Sequence, residues 1–295
     1  MMGIGRKVWT AVIIGILFAE IAAAFEWPVS NTRLVSTFGQ SRWGDYLKGV
    51  ELYSEDGRVE PVDSGEIIFR STEDPAGPRR CPSGLGNMAV VQHERGIRSV
   101  YGHLAAPVDP GLTIIKQNQL IGEIGSSGMV EGRFLYLQII DSEVSRYVNP
   151  LLSLPSIADR VRPNIEDMML SNSITDYPLQ NGLRIMQGDY VLRMKAYDTS
   201  AAMDTFRPMA VYSVKLYVNG EERQSFSFES LAIEDWRTVP AGRSDLPHQF
   251  MYGNGESISL SSVVLQPGEA IIEVVAADFA GNESIRTTRI QVVAE

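Results

Sequence analysis

One cysteine, Cys81, and three histidines, His93, His103 and His248, are all that this chain of 295 residues offers for soft-ligand or imidazole chemistry. A single thiol excludes an intrachain disulfide and any cysteine-based zinc site, so in an oxidising compartment the fold has to stand on packing alone. The histidines lie in separate segments, and none of their spacings makes a metal motif. Positive charge is scarce as well. Lys and Arg number 26 against 36 Asp and Glu, a formal net charge of −10 with no basic stripe, which excludes nucleic acid or an anionic lipid surface as a partner held by counterion release. After residue 24 no apolar run is long enough to cross a bilayer, and sustained helical periodicity is missing.

What the chain does have is 44% hydrophobic residues, 26 Gly and 15 Pro, the composition of a turn-rich globular protein with room for two cores of ordinary size. In the first 24 residues Arg6 and Lys7 precede VWTAVIIGILFA and then the small residues of IAAAF. This is the pattern of a secretory leader cleaved after Ala24, with an uncleaved membrane anchor as the alternative. Cys81, in the Pro/Gly loop EDPAGPRRCPSGLG, reads as an unpaired thiol without a role.

Short runs rich in Val, Ile and Tyr, bounded by Gly, Pro or Asp, predict an all-β protein. EIIFRS, MAVVQHE, IRSVYGHL, LIGEIGSSG and RFLYLQII place an antiparallel β domain over residues 25–155. Periodicity fades over 156–182, which reads as a linker with one short helical turn. Strands resume in GDYVLRMKAYD, AVYSVKLYVNGE, RQSFSFES, GEAIIEVVAADFAGN and IRTTRIQVV, whose spacing suits an immunoglobulin-like β-sandwich over 183–295. Near-continuous apolarity makes EAIIEVVAAD a central strand. The irregular stretch 230–256 is too long for an ordinary connection and is either functional or poorly ordered.

Five features of the first domain occur in a telling order: WPV with STFGQSRWG, LKGVE, VDSGEIIF, GNMAVVQHERGIRSVYGHL, and IGEIGSSGMVEGRFLYLQI followed by NPL. Together they resemble the LytM-type zinc peptidases of family M23, which cut peptide cross-bridges in bacterial cell walls. The resemblance implies a His-x-x-x-Asp turn whose two residues bind zinc, where this sequence has Leu47 and Glu51. It implies a His-x-His strand, its second histidine a ligand and its first a catalytic helper, where this sequence has Phe134 and Tyr136. The Tyr-x-His-Leu segment is kept as Tyr101, His103 and Leu104.

A catalytic zinc needs three protein ligands and an open position for water. Leu47 and Phe134 cannot donate, and Tyr136 binds a metal only as phenolate, against a free pKa near 10. Residues four apart on an extended strand stand about 13 Å from each other, so LKGVE must bend to bring its ends to one point, and Gly49 supplies that freedom. Phe134, Tyr136 and Gln138 share one strand face, and Leu135, Leu137 and Ile139 the other. His103 reads as a hydrogen-bonded imidazole inside a strand cluster, His93 as a strand-end surface residue, His248 as a loop residue, and GSSG at 125–128 as a plain turn. In ADFAGN, Asp278 and Asn282 suit a turn held by side-chain hydrogen bonds, with calcium as the rival reading.

These residues predict a non-catalytic protein of the periplasm or cell envelope. An aromatic groove formed by Leu47, Glu51, His103, Phe134 and Tyr136 would bind a peptidoglycan peptide or a cell-wall hydrolase, with no cofactor. Two alternatives stay open: a divergent zinc endopeptidase built on Glu51, His103 and Tyr136, and an envelope scaffold whose groove is filled by its own side chains.

Overall fold

The computed structural model describes residues 25–72, 83–106, 108–172, 174–199, 208–253 and 257–294. The leader and Cys81 lie outside the described residues. Apolar alternation resolves into strands almost everywhere. The described helices are one turn of α-helix, His248–Met251, and two 3₁₀ turns, Glu94–Gly96 and Pro150–Leu152. The all-β expectation holds.

The first unit is built on an antiparallel sheet in which Leu135–Asp141 is the hub. It pairs with Ile97–Leu104 on one side, and on the other with Arg146–Val148 and Val50–Tyr53. Leu135, Leu137 and Ile139 are buried on one face while Phe134, Tyr136 and Gln138 are buried on the other. A strand covered on both faces has to read as an uninterrupted apolar run, which is what FLYLQII is. Beyond Ile97–Leu104 the sheet continues through Asn87–Gln92 and Gly65–Ser71 to Ile114–Ile115.

The second unit holds two five-stranded sheets. In one, Gly188–Asp198 lies between Asn164–Ser171 and Ile258–Leu265. In the other, Gly268–Ala277 is central between Ser213–Val218 and Glu283–Val293, as its apolarity predicts. Leu192 and Met194 from the first sheet and Ile272 and Val274 from the second are fully buried members of one apolar core.

Two boundaries differ from the sequence reading. The stretch expected as a linker over 156–182 contains Asn164–Ser171 and Asp176–Pro178, both strands of the second unit. NIEDMMLS hides its alternation because a bulge between Glu166 and Met169 shifts the register, and a bulge breaks the period of two. Of the stretch 230–256 the described residues, 230–253, are not confined to the second unit. Its strands Ser230–Glu234 and Arg237–Pro240 form a hairpin that extends the first unit's sheet, Leu231 pairing with Tyr147. The two units therefore share one sheet and one continuous core.

Candidate functional site

The turn that carries Leu47 and Glu51 starts from a small hairpin. Ser41–Arg42 pairs with Asp45–Tyr46 across Trp43 and Gly44, both at positive φ, 49° and 81°, the geometry of a two-residue primed turn. The hairpin sends Arg42 back over Glu51. Glu51 sits in Val50–Tyr53, opposite Ser36 on one neighbour and Tyr136 on the other, and is 2% exposed. Its Oε2 accepts a 2.7 Å hydrogen bond from Ser36 Oγ, and its Oε1 is paired with the Arg42 guanidinium. Both oxygens are engaged within the chain.

Tyr136 closes the other side. Its ring lies against Gly49, where an added Cβ would fall 2.9 Å from Tyr136 Cζ and 2.3 Å from the Leu137 carbonyl oxygen. Gly49 is therefore needed for close approach, and not for a left-handed bend, since it is absent from the glycines with positive φ. The Tyr136 hydroxyl donates to Gln138 Oε1 at 3.0 Å. Burial, with lesser contributions from Tyr147 and Glu51, pushes its pKa upward, so it stays a phenol. Leu47 and Phe134 are buried too.

These residues do not fit a zinc ion. Leu47 and Phe134 have no donor atom, the Glu51 carboxylate is neutralised by Arg42, and the Tyr136 oxygen is held protonated. The groove expected between Leu47, Glu51, His103, Phe134 and Tyr136 is filled by their own side chains. Every one of the five is at most 7% exposed.

His103 is positioned by the end of Ile97–Leu104. It is 1% exposed, at φ 61°, and its Nδ1–H donates to the Ser127 carbonyl at 2.8 Å. Its ring lies 6.2 Å from that of Tyr136, edge to face. The GSSG turn is thus the partner of His103, and its Ser127 hydroxyl also reaches the Leu104 carbonyl and the Asn87 N–H. Gly86 and Gly128 cross so closely that a Cβ on either would sit 2.4 Å from the other's backbone nitrogen.

The other two histidines differ from expectation. His93 is buried, its Nδ1–H donating to the Ser64 carbonyl and its Nε2 2.7 Å from Ser99 Oγ. His248 is buried at the start of the short helix, packed against the rings of Tyr46 and Tyr252.

His248 belongs to a brace that sequence reasoning missed. After the hairpin 230–240 the chain folds over the outer side of the Arg42 turn. Tyr46 donates to the Leu246 carbonyl at 2.8 Å, Tyr252 to the Gly39 carbonyl at 3.1 Å, and Thr238 to Asp45 Oδ2 at 3.1 Å. His248 Nε2 meets Ser41 Oγ at 2.9 Å. Gly39, at φ 84°, lies flat on the Phe228 ring, with no room for a Cβ. The sequence signals were SLAIE and RTVP on either side of Asp235–Trp236, a turn with both residues at positive φ.

Comparison with known proteins places this geometry in a family. Peptidase family M23 matches residues 45–150, and a second family profile matches 162–293. The cell division protein DipM of Caulobacter vibrioides is 26% identical over 152 residues, 49% of this chain and 21% of that protein. An uncharacterized protein of Treponema pallidum is 30% identical over 105 residues, 32% of this chain and 71% of that one. The chain thus spans only about a fifth of DipM. Among solved structures, a mutant catalytic domain of the prophage-encoded M23 protein EnpA from Enterococcus faecalis aligns with TM-score 0.34 and 20% identity, over 43% of this chain and 95% of that one. Lysostaphin from Staphylococcus simulans aligns with TM-score 0.36 and 16% identity over 89% and 90%.

Proposed function

Since residues 45–150 of the chain form a domain of peptidase family M23, we propose that it is a silent one: a non-catalytic cell-envelope protein that acts by contact, as a scaffold or regulator of cell-wall hydrolysis. The observation that carries this reading is the pairing of Arg42 with buried Glu51, with Tyr136 opposite Glu51 on the neighbouring strand. The carboxylate at one position matching a family ligand is paired with an internal cation, Arg42, and the phenol at another is kept protonated by burial. Without the metal there is no bound water near neutral pKa and no Lewis acid on the scissile carbonyl, and His103 is bound to Ser127 with no nucleophile to activate.

The same closure disfavours the narrower idea that this groove takes a muropeptide. It favours a protein partner engaged by another surface, with the second unit as an immunoglobulin-like contact module. The match to a cell division protein supports an envelope setting in which that partner is a peptidoglycan hydrolase.

The test is metal analysis and muropeptide turnover. Protein purified without chelator is expected to carry no stoichiometric zinc and to leave cross-linked muropeptides intact with Zn²⁺ added. Zinc at one equivalent, lost in Glu51→Ala, together with turnover, would restore the divergent endopeptidase.

A further inference from the structure

An unfilled space lies at the junction of the two units, walled in part by residues of the core. A cavity of about 320 Å³ lies there, in the size range of small-ligand sites. Its walls are apolar and aromatic, formed by Trp27, Phe38, Leu151, Met209 and Phe279. Trp27 is fixed by its indole N–H, which donates to the Pro155 carbonyl at 2.9 Å, and Phe279 by an edge-on contact with Tyr212 at 5.4 Å.

One end of this cavity is acidic. Asp159 comes from the segment that joins the units, Asp198 from the end of Gly188–Asp198, and Asp278 from the turn after Gly268–Ala277. Their carboxylate oxygens lie within 4.8 Å of one another, and among the described residues none of the three forms an ion pair. Asp278 is satisfied by the Asn282 backbone and side-chain amides at 2.9 and 2.8 Å. That is the side-chain-bonded turn read from ADFAGN. Among the described residues the Asp198 carboxylate, 6% exposed, accepts the Thr199 N–H, and the Asp159 carboxylate the Val161 N–H. Three carboxylates gathered at the end of an apolar cavity, with no counter-charge among them, complement a cation.

We propose that this junction cavity binds an aliphatic ammonium group, as borne by a lysine-type side chain of a partner peptide, with its alkyl stem against the aromatic walls and its charge among Asp159, Asp198 and Asp278. A bare divalent ion would seek six to eight oxygens and use only the acidic end. An alkyl ammonium uses both parts of the cavity, gaining apolar burial along the stem and charge-assisted hydrogen bonds at its head. Burial, with Asp278 and Asp159 adding like charge, pushes the Asp198 carboxyl up to about 7. Among the described residues the one basic group on the cavity wall, Arg33, is paired with Glu55 at 3.3 Å. Ligand binding therefore displaces a proton and tightens from pH 6 to pH 8. The inference is independent of whether the M23 site is silent.

The test uses the full chain, ¹⁵N-labelled, with the Trp27 indole N–H as reporter. Nα-acetyl-lysine methylamide is expected to shift it saturably, and Nα-acetyl-norleucine methylamide, with the same stem and no charge, to bind at least tenfold more weakly. Asp198→Asn and Asp159→Asn, which relieve repulsion and keep shape, should each weaken the lysine compound at least tenfold. Equal response to the two compounds, unchanged affinity in both variants, or no saturable shift overturns the proposal. So does saturation by Ca²⁺ without response to the amine, which would make the cluster a metal site.

Discussion

The remnant site and the junction cavity each take carboxylates out of water, and they differ in what surrounds them. At the remnant site Glu51 has an arginine on one oxygen, a serine on the other and Tyr136 as its partner on the neighbouring strand. At the junction, Asp198 has two more carboxylates and an open cavity. The first arrangement is complete within the chain and leaves nothing for a ligand to do. The second is incomplete and gains when a cation arrives. Under the proposed function the M23 site is a structural element, and the unmet charge lies between the units.

The comparison is sharpest for charge removal. Truncating Arg42 strands a buried carboxylate, and breaking such a pair costs about 3–5 kcal/mol. With Arg42 partly exposed, Arg42→Met is expected at the lower end, about 3 kcal/mol, read as a fall in urea midpoint. Glu51→Gln on top should recover most of it. Asp198→Asn should instead stabilise. An Arg42→Met protein as stable as the parent would mean that the pair does not hold the site shut.

Acid and base should act on the two regions with opposite sign. Burial lowers the pKa of His248 and of His93 below 6.5, so the folded state binds fewer protons than the unfolded one. That stability is fully present above pH 6.5 and is lost as pH falls toward the lowered folded values. Asp198, raised to about 7, contributes stability that is present below its unfolded pKa of 3.8 and is lost as pH rises through 7. Urea midpoints from pH 5 to pH 8 should then fall at the acid end less steeply in His248→Phe and at the alkaline end less steeply in Asp198→Asn. Identical profiles for parent and variants would remove both assignments.

The smallest expected effect lies in the brace. Tyr46→Phe leaves the Leu246 carbonyl without its hydroxyl donor and should cost about 1 kcal/mol, with zinc content unchanged. A larger loss, or metal uptake on loosening the brace, would mean that the outer loop rather than Tyr136 seals the turn.

Much of the first unit was legible because burial on one or both faces of a strand writes itself into short-range alternation. RFLYLQII, IRSVYGHL and MAVVQHE carry their own register, and Leu47 and Phe134 announce by residue type alone that they offer a metal no donor atom. Two things were illegible. The bulge in NIEDMMLS erases the period that would have marked it as a strand. His93 looks exposed from its neighbours, because the atoms that bury it, Ser64 and Ser99, come from other strands.

The sequence by itself determined the β architecture and the M23 pattern, because each depends on residue type and on spacing within one segment. Only the tertiary structure decided that the Leu47–Glu51 turn is buried, that residues 238–252 brace it, and that Asp159, Asp198 and Asp278 meet. Those facts depend on contacts between residues far apart in the chain, up to 213 positions for Gly39 and Tyr252. There the free energy comes from which surfaces exclude water together, and no local pattern records which surfaces those are.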